Sequence, residues 1–135
     1  MVRLETANIL VKEVMTKNLV TVRLGHTVEE AIKKMVEYDV ECLPVVDSDG
    51  VLQGLITFRD IVTKALTSKV ELAKLKVEDI MTRNPVACSP TSTVLDVVKI
   101  MKNKHLRRIP VVDSDNKLLG LITDFDLALL GWEIK

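Results

Sequence analysis

Two pairs of side chains in this sequence have the types and the spacing needed to hold a polar ligand. Thr57 precedes Asp60 by three residues, and Thr123 precedes Asp126 by the same interval. An ionised aspartate offers two acceptor oxygens, which can take both hydroxyls of a cis-diol such as that of a ribose. If a helix begins at each threonine, the unpaired backbone N–H groups of its first turn also suit a phosphate. The same Thr-x-x-Asp spacing is a helix-capping pattern, so a purely structural role is the alternative.

Basic residues precede the second pair but not the first. The stretch Lys-His-Leu-Arg-Arg-Ile-Pro contains Arg107 and Arg108, whereas Glu41 and Cys42 stand 66 residues earlier. Arginine offers a positive charge and a fork of N–H donors, which suit a phosphate. The alternative for the two arginines is a solvated helix end, because the last turn of a helix favours cations. The sequence therefore predicts that the two pairs bind unequally.

The chain contains an internal repeat. Residues 11–60 align with residues 77–126 at a constant offset of 66 without a gap, and 21 of the 50 aligned pairs are identical. Self-similarity at a fixed period indicates that one supersecondary unit occurs twice. The elements that position the two threonine–aspartate pairs should therefore be the same in both copies.

Each copy predicts the element order β-α-β-β-α. The predicted strands are residues 19–22, 43–46 and 52–57 in the first copy and residues 86–88, 109–112 and 118–123 in the second. A capping-box pattern at Thr27, and a weaker one at Thr93, begins a helix whose apolar residues recur at helical spacing. The Asp-Ser-Asp stretch between the last two strands of each copy is typical of a tight turn.

A second helix is predicted to begin at each Thr-x-x-Asp. In the first copy we expect this helix to continue through residues 61–75 and to connect the two copies. Met15 and Met81 are expected in the core. One copy alone has a small sheet to cover, so two copies should pack face to face into a single module.

Composition excludes several classes of protein. The 135 residues are 47% hydrophobic, and 19 basic side chains balance 19 acidic ones. This balance creates no global field that would attract nucleic acid or an anionic membrane. The chain also lacks an apolar run of ~20 residues, the length that crosses a membrane, and the apolar run near Met1 is shorter than we expect for a signal peptide. We expect a folded cytoplasmic protein without a membrane segment.

Metal binding and catalysis find little support in the residue types. Cys42, Cys88, His26 and His105 are not in a metal-ligand spacing, and the two cysteines are expected to be reduced. The sequence contains neither a P-loop nor a nucleophile and base in matching repeat positions. We therefore expect a binding module and not an enzyme.

Three motifs, each present twice, carry a resemblance to a known family. They are Met-Thr before the first strand, Pro-Val-Val-Asp on the second, and Gly-Leu-Ile-Thr-x-x-Asp from the third strand into a helix. The chain resembles a tandem pair of cystathionine β-synthase (CBS) domains, also called a Bateman module, over residues 11–130. The resemblance implies an α+β (α/β) fold in which two β-α-β-β-α CBS repeats pack with pseudo-twofold symmetry into one module.

The resemblance also divides the chain. Residues 1–70 would form the first CBS repeat with an N-terminal extension and the connecting helix, and residues 71–135 would form the second repeat. Because the flanking segments are short, we expect a stand-alone module.

The family implies two clefts that bind adenosine-containing ligands. AMP, ADP or ATP is the expected ligand, S-adenosylmethionine is possible, and no cofactor is required. In AMP-binding relatives the aspartate of one repeat holds the ribose, a basic pair reaches the phosphate, and the other repeat lines the base.

Carried over to this sequence, the implied residues form two sets. The first cleft would use Thr123, Asp126, Arg108 and Arg107 for the ribose and phosphate, and Val40, Glu41, Cys42, Thr16, Asn18 and Val20 around the base. The second cleft would use Thr57 and Asp60, with Leu106, Arg107, Arg108, Thr82, Asn84 and Val86 near the base. Cys42 stands at the arginine position of the second cleft, where Arg59 is the candidate to replace it.

The expected function is regulatory. We expect a homodimeric sensor, paired through its helices, that binds an adenine nucleotide and changes its shape or its affinity for a regulated protein partner. One alternative is a structural or oligomerisation scaffold whose clefts stay empty. Nucleic-acid binding is a further alternative, against which the zero net charge and the four aromatic residues weigh. Trp132 could anchor a dimer contact or cover the last helix.

Overall fold

The chain divides into two compact units whose boundaries do not coincide with the sequence repeat. The structure, a computed structural model, describes residues 5–134. Val20–Pro85 form one unit, here called the continuous unit. The other, here called the split unit, joins the chain up to Leu19 with the chain from Val86 onward. The predicted division at residue 70 concerns the sequence repeats and not these compact units, and it stays a prediction.

The elements follow the predicted order in the first copy, and the second copy follows it apart from its first predicted strand. In chain order they are α1 (Val11–Val14), β1 (Val22–Arg23), α2 (Val28–Tyr38), β2 (Cys42–Val46), β3 (Leu52–Thr57), α3 (Phe58–Asp60) with a π-helical turn (Ile61–Ala65), α4 (Val77–Ile80), β4 (Thr82–Arg83), α5 (Val94–Lys104), β5 (Arg108–Val112), β6 (Leu118–Thr123) and α6 (Asp124–Ala128). The predicted strands 52–57 and 118–123 are confirmed at both ends. The α+β class is confirmed as well.

The continuous unit contains a four-stranded sheet in the order β1-β2-β3-β4. β1 runs parallel to β2, whereas β2 with β3 and β3 with β4 are antiparallel. Val22 pairs with Val45 on the first seam, and Leu55 pairs with Thr82 on the last. The Met-Thr segment that opens the second sequence copy therefore completes the sheet of the first.

The split unit repeats this topology with shorter pairings. β5 and β6 are antiparallel, and single bridges join Cys88 to Val111 and Thr16 to Leu121. Each bridge lies 66 residues from its counterpart in the continuous unit, at Val22–Val45 and Thr82–Leu55. The offset of the sequence repeat thus governs strand pairing as well.

Both long helices begin at the predicted capping boxes. The Thr27 Oγ1 accepts the Glu30 N–H at 3.1 Å, and the Thr93 Oγ1 accepts the Asp96 N–H at 3.2 Å. Hydrogen bonds from the cap threonines, the backbone N–H first, hold the pKa of Glu30 and of Asp96 below their ordinary values. Local hydrogen bonding of this kind is readable from sequence.

Each unit has its own hydrophobic core. In the continuous unit the core contains Leu43, Val45, Ile56 and Met81, and in the split unit it contains Ile109, Val111, Ile122 and Met101. Met81 is buried in its core and Met15 packs against the other, as expected.

Trp132 belongs to the core of the split unit. Its side chain is buried, and its Nε1–H donates a hydrogen bond to the Thr6 Oγ1 at 2.8 Å. Of the two alternatives for this residue, the structure favours a role in covering the unit's own core, because a buried indole offers little surface to a partner.

The predicted helix over residues 61–75 is wrong beyond Ala65. The chain leaves the helix there because hydroxyl groups take over backbone bonds: Ser68 Oγ donates to the Ala65 carbonyl at 2.7 Å and accepts the Val70 N–H at 3.1 Å. Lys69 between them has a φ of 63°, in the left-handed region that no helix continues through.

The predicted strand at 86–88 is reduced to one bridge at Cys88, and the one at 19–22 begins at Val22. Proline explains the difference between the two copies. Leu24 donates its N–H to the Val46 carbonyl at 3.0 Å, but Pro90 stands at the equivalent place and has no N–H to donate. Within residues 5–134, no helix has both the length and the apolar character needed to cross a bilayer.

Candidate functional site

The two Thr-x-x-Asp pairs lie at equivalent junctions between a strand and a helix. In the split unit the Thr123 Oγ1 accepts the Asp126 N–H at 3.2 Å, and the Asp126 Oδ2 accepts the Thr123 N–H at 2.9 Å. In the continuous unit Thr57 and Asp60 make the same two bonds at 3.1 and 3.0 Å. The capping role is therefore real in both copies, and it uses one oxygen of each aspartate.

The second oxygen of Asp126 faces Thr16. The Thr16 Oγ1 lies 3.4 Å from the Asp126 Oδ1, which is a long and weak hydrogen bond. Asp126 is half-buried and Thr16 is exposed. A carboxylate oxygen in this setting can accept a hydroxyl from a ligand while the other oxygen continues to cap the helix.

A glycine allows Thr16 to come close to Asp126. Thr16 exchanges backbone hydrogen bonds with Leu121 at 2.9 and 3.0 Å. A Cβ on the adjacent Gly120 would lie 2.6 Å from the Met15 Sδ and 2.9 Å from the Thr16 carbonyl oxygen. Gly120 therefore permits a close backbone approach, which is one of the two roles that glycine has in strands. The other role, a bulge, occurs on the facing strand between Val111 and Val112.

The aspartate of the continuous unit is more fully occupied. Asp60 is 5% exposed, and its Oδ2 accepts both the N–H and the Oγ1–H of Thr57 at 3.0 Å. Its Oδ1 lies 3.0 Å from the Nζ of Lys64, which also donates to the Ile80 carbonyl at 3.2 Å. Lys64 was missed by the sequence reasoning. The signal was its position four residues after Asp60, where leucine stands in the second copy.

The two arginines lie in the same unit as Asp126. Arg108 begins β5 and pairs directly with Thr123. Arg107 precedes it, and its Nη1 lies 3.0 Å from the Oδ2 of Asp124. Helix α5 ends at Lys104, so the arginines follow the helix and do not form its last turn. The split unit thus brings positive charge to the strand that faces the Thr123–Asp126 cap.

The other predicted site residues are distributed over both units. Val20, Val40, Glu41, Cys42, Thr82 and Asn84 belong to the continuous unit, and Asn18, Val86 and Leu106 belong to the split unit. Of this set Cys42 is buried, the three valines and Leu106 are half-buried, and the others are exposed. The structure brings Thr16, Arg107, Arg108, Thr123 and Asp126 together in one unit and Thr57, Asp60 and Thr82 in the other. The grouping into two clefts stays a prediction.

A groove that sequence reasoning did not predict lies in the continuous unit. Its volume is about 500 Å³, and it is lined by Ile32, Met35, Val36, Asp39, Val40, Glu41, Phe58, Ile61 and Leu66. The equivalent place in the split unit has a cavity of about 110 Å³, lined by Met101, His105, Leu106, Arg107 and Ile134. The periodic apolar residues of α2 were a signal, but the same pattern in α5 accompanies the smaller cavity.

Cysteines and potential metal ligands are the other side chains whose chemistry the structure places. Cys42 and Cys88 are both buried, and neither forms a disulfide. In the described part of the chain, no three His, Cys, Asp or Glu side chains cluster in a way that could hold a metal ion.

The family follows from comparison with known proteins. A model of the CBS domain matches residues 11–66 and again residues 77–131. The chain belongs to the CBS domain family.

Relatives of known sequence include both small and large proteins. The chain is 35% identical over 128 residues to a CBS domain-containing protein of Dictyostelium discoideum, with 88% of each chain covered. It is 37% identical over 115 residues to the inosine-5′-monophosphate dehydrogenase of Methanocaldococcus jannaschii, covering 85% of this chain and 22% of the enzyme. It is 36% identical over 120 residues to a homoserine O-acetyltransferase of Methanococcoides burtonii, covering 89% and 24%. The chain therefore spans less than a quarter of these two enzymes.

Solved structures with the same fold include ligand complexes. The CBS domain pair of protein MJ0100, in complex with 5′-methylthioadenosine and S-adenosyl-L-methionine, matches with a TM-score of 0.80 and 33% identity, covering 90% of this chain and 94% of that chain. CBSX2 in complex with AMP matches with a TM-score of 0.80 and 29% identity, covering 90% and 95%. These likenesses agree with the α+β repeat architecture.

Proposed function

We propose that this chain is a regulatory module that binds an adenosine ligand, AMP, ADP or ATP, at Asp126 of the split unit. The observation that carries the proposal is the Asp126 carboxylate, which caps α6 with one oxygen and directs the other toward the exposed Thr16 hydroxyl at 3.4 Å. A ribose hydroxyl can replace this long hydrogen bond with a shorter one. The complexes of related CBS pairs with AMP and with S-adenosyl-L-methionine support the same class of ligand.

The arginines supply the phosphate contact. Arg108 pairs with Thr123, so its side chain starts from the strand next to the ribose-binding residues. Arg107 is 58% exposed in its ion pair with Asp124, and such a surface pair is worth only about 0–1 kcal/mol. A phosphate can therefore take Arg107 from Asp124 at little cost.

This exchange of partners gives the module a means of signalling. Asp124 is the first residue of α6, and its carboxylate also accepts the N–H of Phe125 at 3.0 Å. When the phosphate takes Arg107, the start of α6 loses one restraint. A ligand shifts a protein between two states only by binding them with different affinity, and this ion pair is a contact that differs between them.

Exposed apolar side chains support a homodimer. Phe125 in α6 is 68% exposed, Leu129 just after α6 is 72% exposed, and Val36 in α2 is 77% exposed. Apolar side chains at such exposure favour burial against a second surface. We propose that two copies pair through these helices and that the regulated partner is a further protein. A cytoplasmic location remains part of this proposal.

Titration calorimetry with AMP tests the proposal. Protein freed of co-purified nucleotide should bind AMP saturably, Asp126→Ala should lose the binding, and Asp60→Ala should largely keep it. Light scattering on the same samples should give twice the 15.1 kDa chain mass. If neither heat nor a rise in melting temperature occurs with any adenosine ligand, the scaffold alternative replaces the sensor.

S-adenosylmethionine is the second candidate ligand, favoured by its presence in the MJ0100 complex. It lacks a phosphate, so Arg108→Ala separates the two candidates. If AMP is the ligand, Arg108→Ala should lower its affinity by about 10-fold or more, in line with a charge-assisted hydrogen bond of 1.5–3 kcal/mol. If S-adenosylmethionine is the ligand, the same variant should bind it without loss.

A further inference from the structure

We infer that Lys64 closes the ribose position of the continuous unit, so that each chain takes one adenosine ligand, at Asp126. This inference rests on the proposed function and adds to it the residue that decides the stoichiometry. It depends on contacts within each unit: Asp60 with Lys64 in one, and Asp126 with Thr16 in the other.

Asp60 has a donor on each of its oxygens. The Lys64 ammonium lies 3.0 Å from the Oδ1, and the two donors of Thr57 lie 3.0 Å from the Oδ2. The Asp60 side chain is 7% exposed, whereas that of Lys64 is 47% exposed. The carboxylate is therefore nearly enclosed, and the lysine covers it from the solvent side.

Lys64 is held in this position by a second acceptor. Its Nζ donates to the carbonyl of Ile80 at 3.2 Å, and Ile80 ends helix α4. A cation at the C-terminal end of a helix is electrostatically favourable, although α4 is only one turn long. The π-helical turn Ile61–Ala65, which follows Asp60 directly, carries the lysine to these two acceptors.

The second copy has an apolar side chain at the equivalent position. Leu130 is the residue 66 positions after Lys64, and it packs against the hydrophobic core of the split unit. The Oδ1 of Asp126 is consequently approached by the Thr16 hydroxyl at 3.4 Å and not by a lysine ammonium. The two copies share the capping geometry and differ in the group that competes for the second carboxylate oxygen.

The competing ammonium determines which copy accepts a diol. A ribose hydroxyl is neutral, and it would have to displace a cation from a nearly buried carboxylate. Breaking buried ion pairs is costly, and allowing for the half-exposed lysine, we expect a loss of about 10- to 100-fold in affinity relative to Asp126. The first copy also has Cys42 where the second copy has Arg108, so it lacks that arginine for a phosphate. Adenosine has no phosphate, so its affinity reports the effect of Lys64 alone.

The test is a ¹⁵N–¹H NMR titration with adenosine in an Asp126→Ala background. Asp126→Ala alone should show no saturable change at the Thr57 and Asp60 amides over the adenosine concentrations that saturate Asp126 in the wild-type chain. Adding Lys64→Leu, which copies the residue at position 130, should produce saturable shifts at both amides with one adenosine per chain. Lys33→Leu is the matched control, because its ammonium pairs with Glu29 at 3.5 Å on the surface, and it should open no site.

The outcomes separate this inference from the proposed function. Saturable shifts at Thr57 with Lys64 intact would overturn the inference, as would a folded Lys64→Leu variant whose Thr57 and Asp60 amides do not respond. If Lys64→Leu gives no dispersed spectrum, Lys64→Met, with an unbranched stem, takes its place under the same criteria. The wild-type chain titrated with AMP reports on the proposed function by itself: saturable shifts at Thr123 and Asp126 support it, and their absence contradicts it.

Discussion

At the scale of single residues, two glycines set the distance between the Met-Thr segments and the sheets. A Cβ on Gly54 would lie 2.6 Å from the Thr82 carbonyl oxygen, and one on Gly120 would lie 2.9 Å from the Thr16 carbonyl oxygen. Such distances require a shift of the backbone as well as of the neighbouring methionine. The two positions are structurally equivalent, but Gly120 alone adjoins the segment that carries Thr16 to Asp126.

Gly120→Ala should therefore affect both stability and binding. We expect the free energy of unfolding to fall by about 1–3 kcal/mol, the usual cost of overpacking, and the affinity for AMP to fall with it because Thr16 moves away from Asp126. Gly54→Ala is the matched control, since it should cost similar stability and leave AMP binding unchanged. Urea denaturation and calorimetry measure the two effects, and equal AMP affinities in the two variants would contradict the role of Gly120.

Cys88 gives a prediction that depends on pH. Burial raises the pKa of its thiol from 9.0 to about 11. The thiolate is the reactive form, so at pH 8 Cys88 should react with iodoacetamide about 100-fold more slowly than an unshifted thiol. Mass spectrometry of the native chain, with the urea-unfolded chain as control, measures the rate at this residue. Alkylation of native Cys88 at the unfolded rate would show that the thiol is accessible.

The same shift affects stability at high pH. The folded state holds the proton more tightly than the unfolded state, so the contribution of the Cys88 thiol to stability is complete below pH 9 and is lost progressively between pH 9 and 11. Cys88→Ala should remove this part of the pH dependence.

At the scale of elements, helices α2 and α5 end in the same strained way. Asp39 and His105 are their C-caps, with φ of 52° and 55°, in the left-handed region. Glycine adopts this conformation without the steric cost that a Cβ brings. Neither residue is a glycine, so both ends carry strain that a single substitution can remove.

His105→Gly should accordingly stabilise the chain by about 0.5–1 kcal/mol. Lys99→Gly provides the opposite control: Lys99 is exposed in the middle of α5, where glycine should cost about 0.7–1 kcal/mol. Urea denaturation monitored by circular dichroism compares the two variants. A loss of stability in His105→Gly would mean that the histidine side chain contributes more than its backbone strain costs.

Elements determined by nearby residues could be predicted from the sequence, and those determined by distant ones could not. The helix starts at Thr27 and Thr93 depend on a carboxylate three residues away, and both were predicted. The helix cap formed by Thr123 and Asp126 was predicted in the same way. The end of the π-helical turn at Ala65 depends on the Ser68 hydroxyl, which bonds to a backbone carbonyl, and no strong sequence pattern predicts such a bond. The hydrogen bond from Lys64 to the Ile80 carbonyl joins residues 16 positions apart, so no local pattern predicts it either.

At the scale of the whole molecule, the compact units and the sequence repeats have different boundaries. The continuous unit, Val20–Pro85, contains its four-stranded sheet and all the buried residues of its core within one stretch of chain. Four of its core residues lie beyond residue 70, namely Leu75, Val77, Ile80 and Met81. A division at residue 70 separates these side chains from the sheet that they cover.

A comparison of two fragments tests which boundaries enclose a segment that folds by itself. Residues 20–85 should unfold cooperatively in urea, although 66 residues is close to the lower limit for an independent core. Residues 1–70, cut where the sequence repeat places its boundary, should show no cooperative transition because the fragment lacks β4 and the four core residues. Circular dichroism and NMR dispersion measure both. Cooperative unfolding of residues 1–70 but not of residues 20–85 would favour the sequence-based division.

The division of the split unit into two chain segments determines how the molecule responds to mechanical force. The continuous unit is inserted between two segments of the split unit, so both ends of the described chain belong to the split unit. Tension between residues 5 and 134 acts first on the hydrogen bonds that join Thr16 to Leu121 and Val11 to Ser92. The continuous unit bears the load only after those bonds break, since residues on both sides of it are held by the split unit. The backbone hydrogen bonds that hold Thr16 next to Asp126 are thus also the bonds that must break before the continuous unit is stretched.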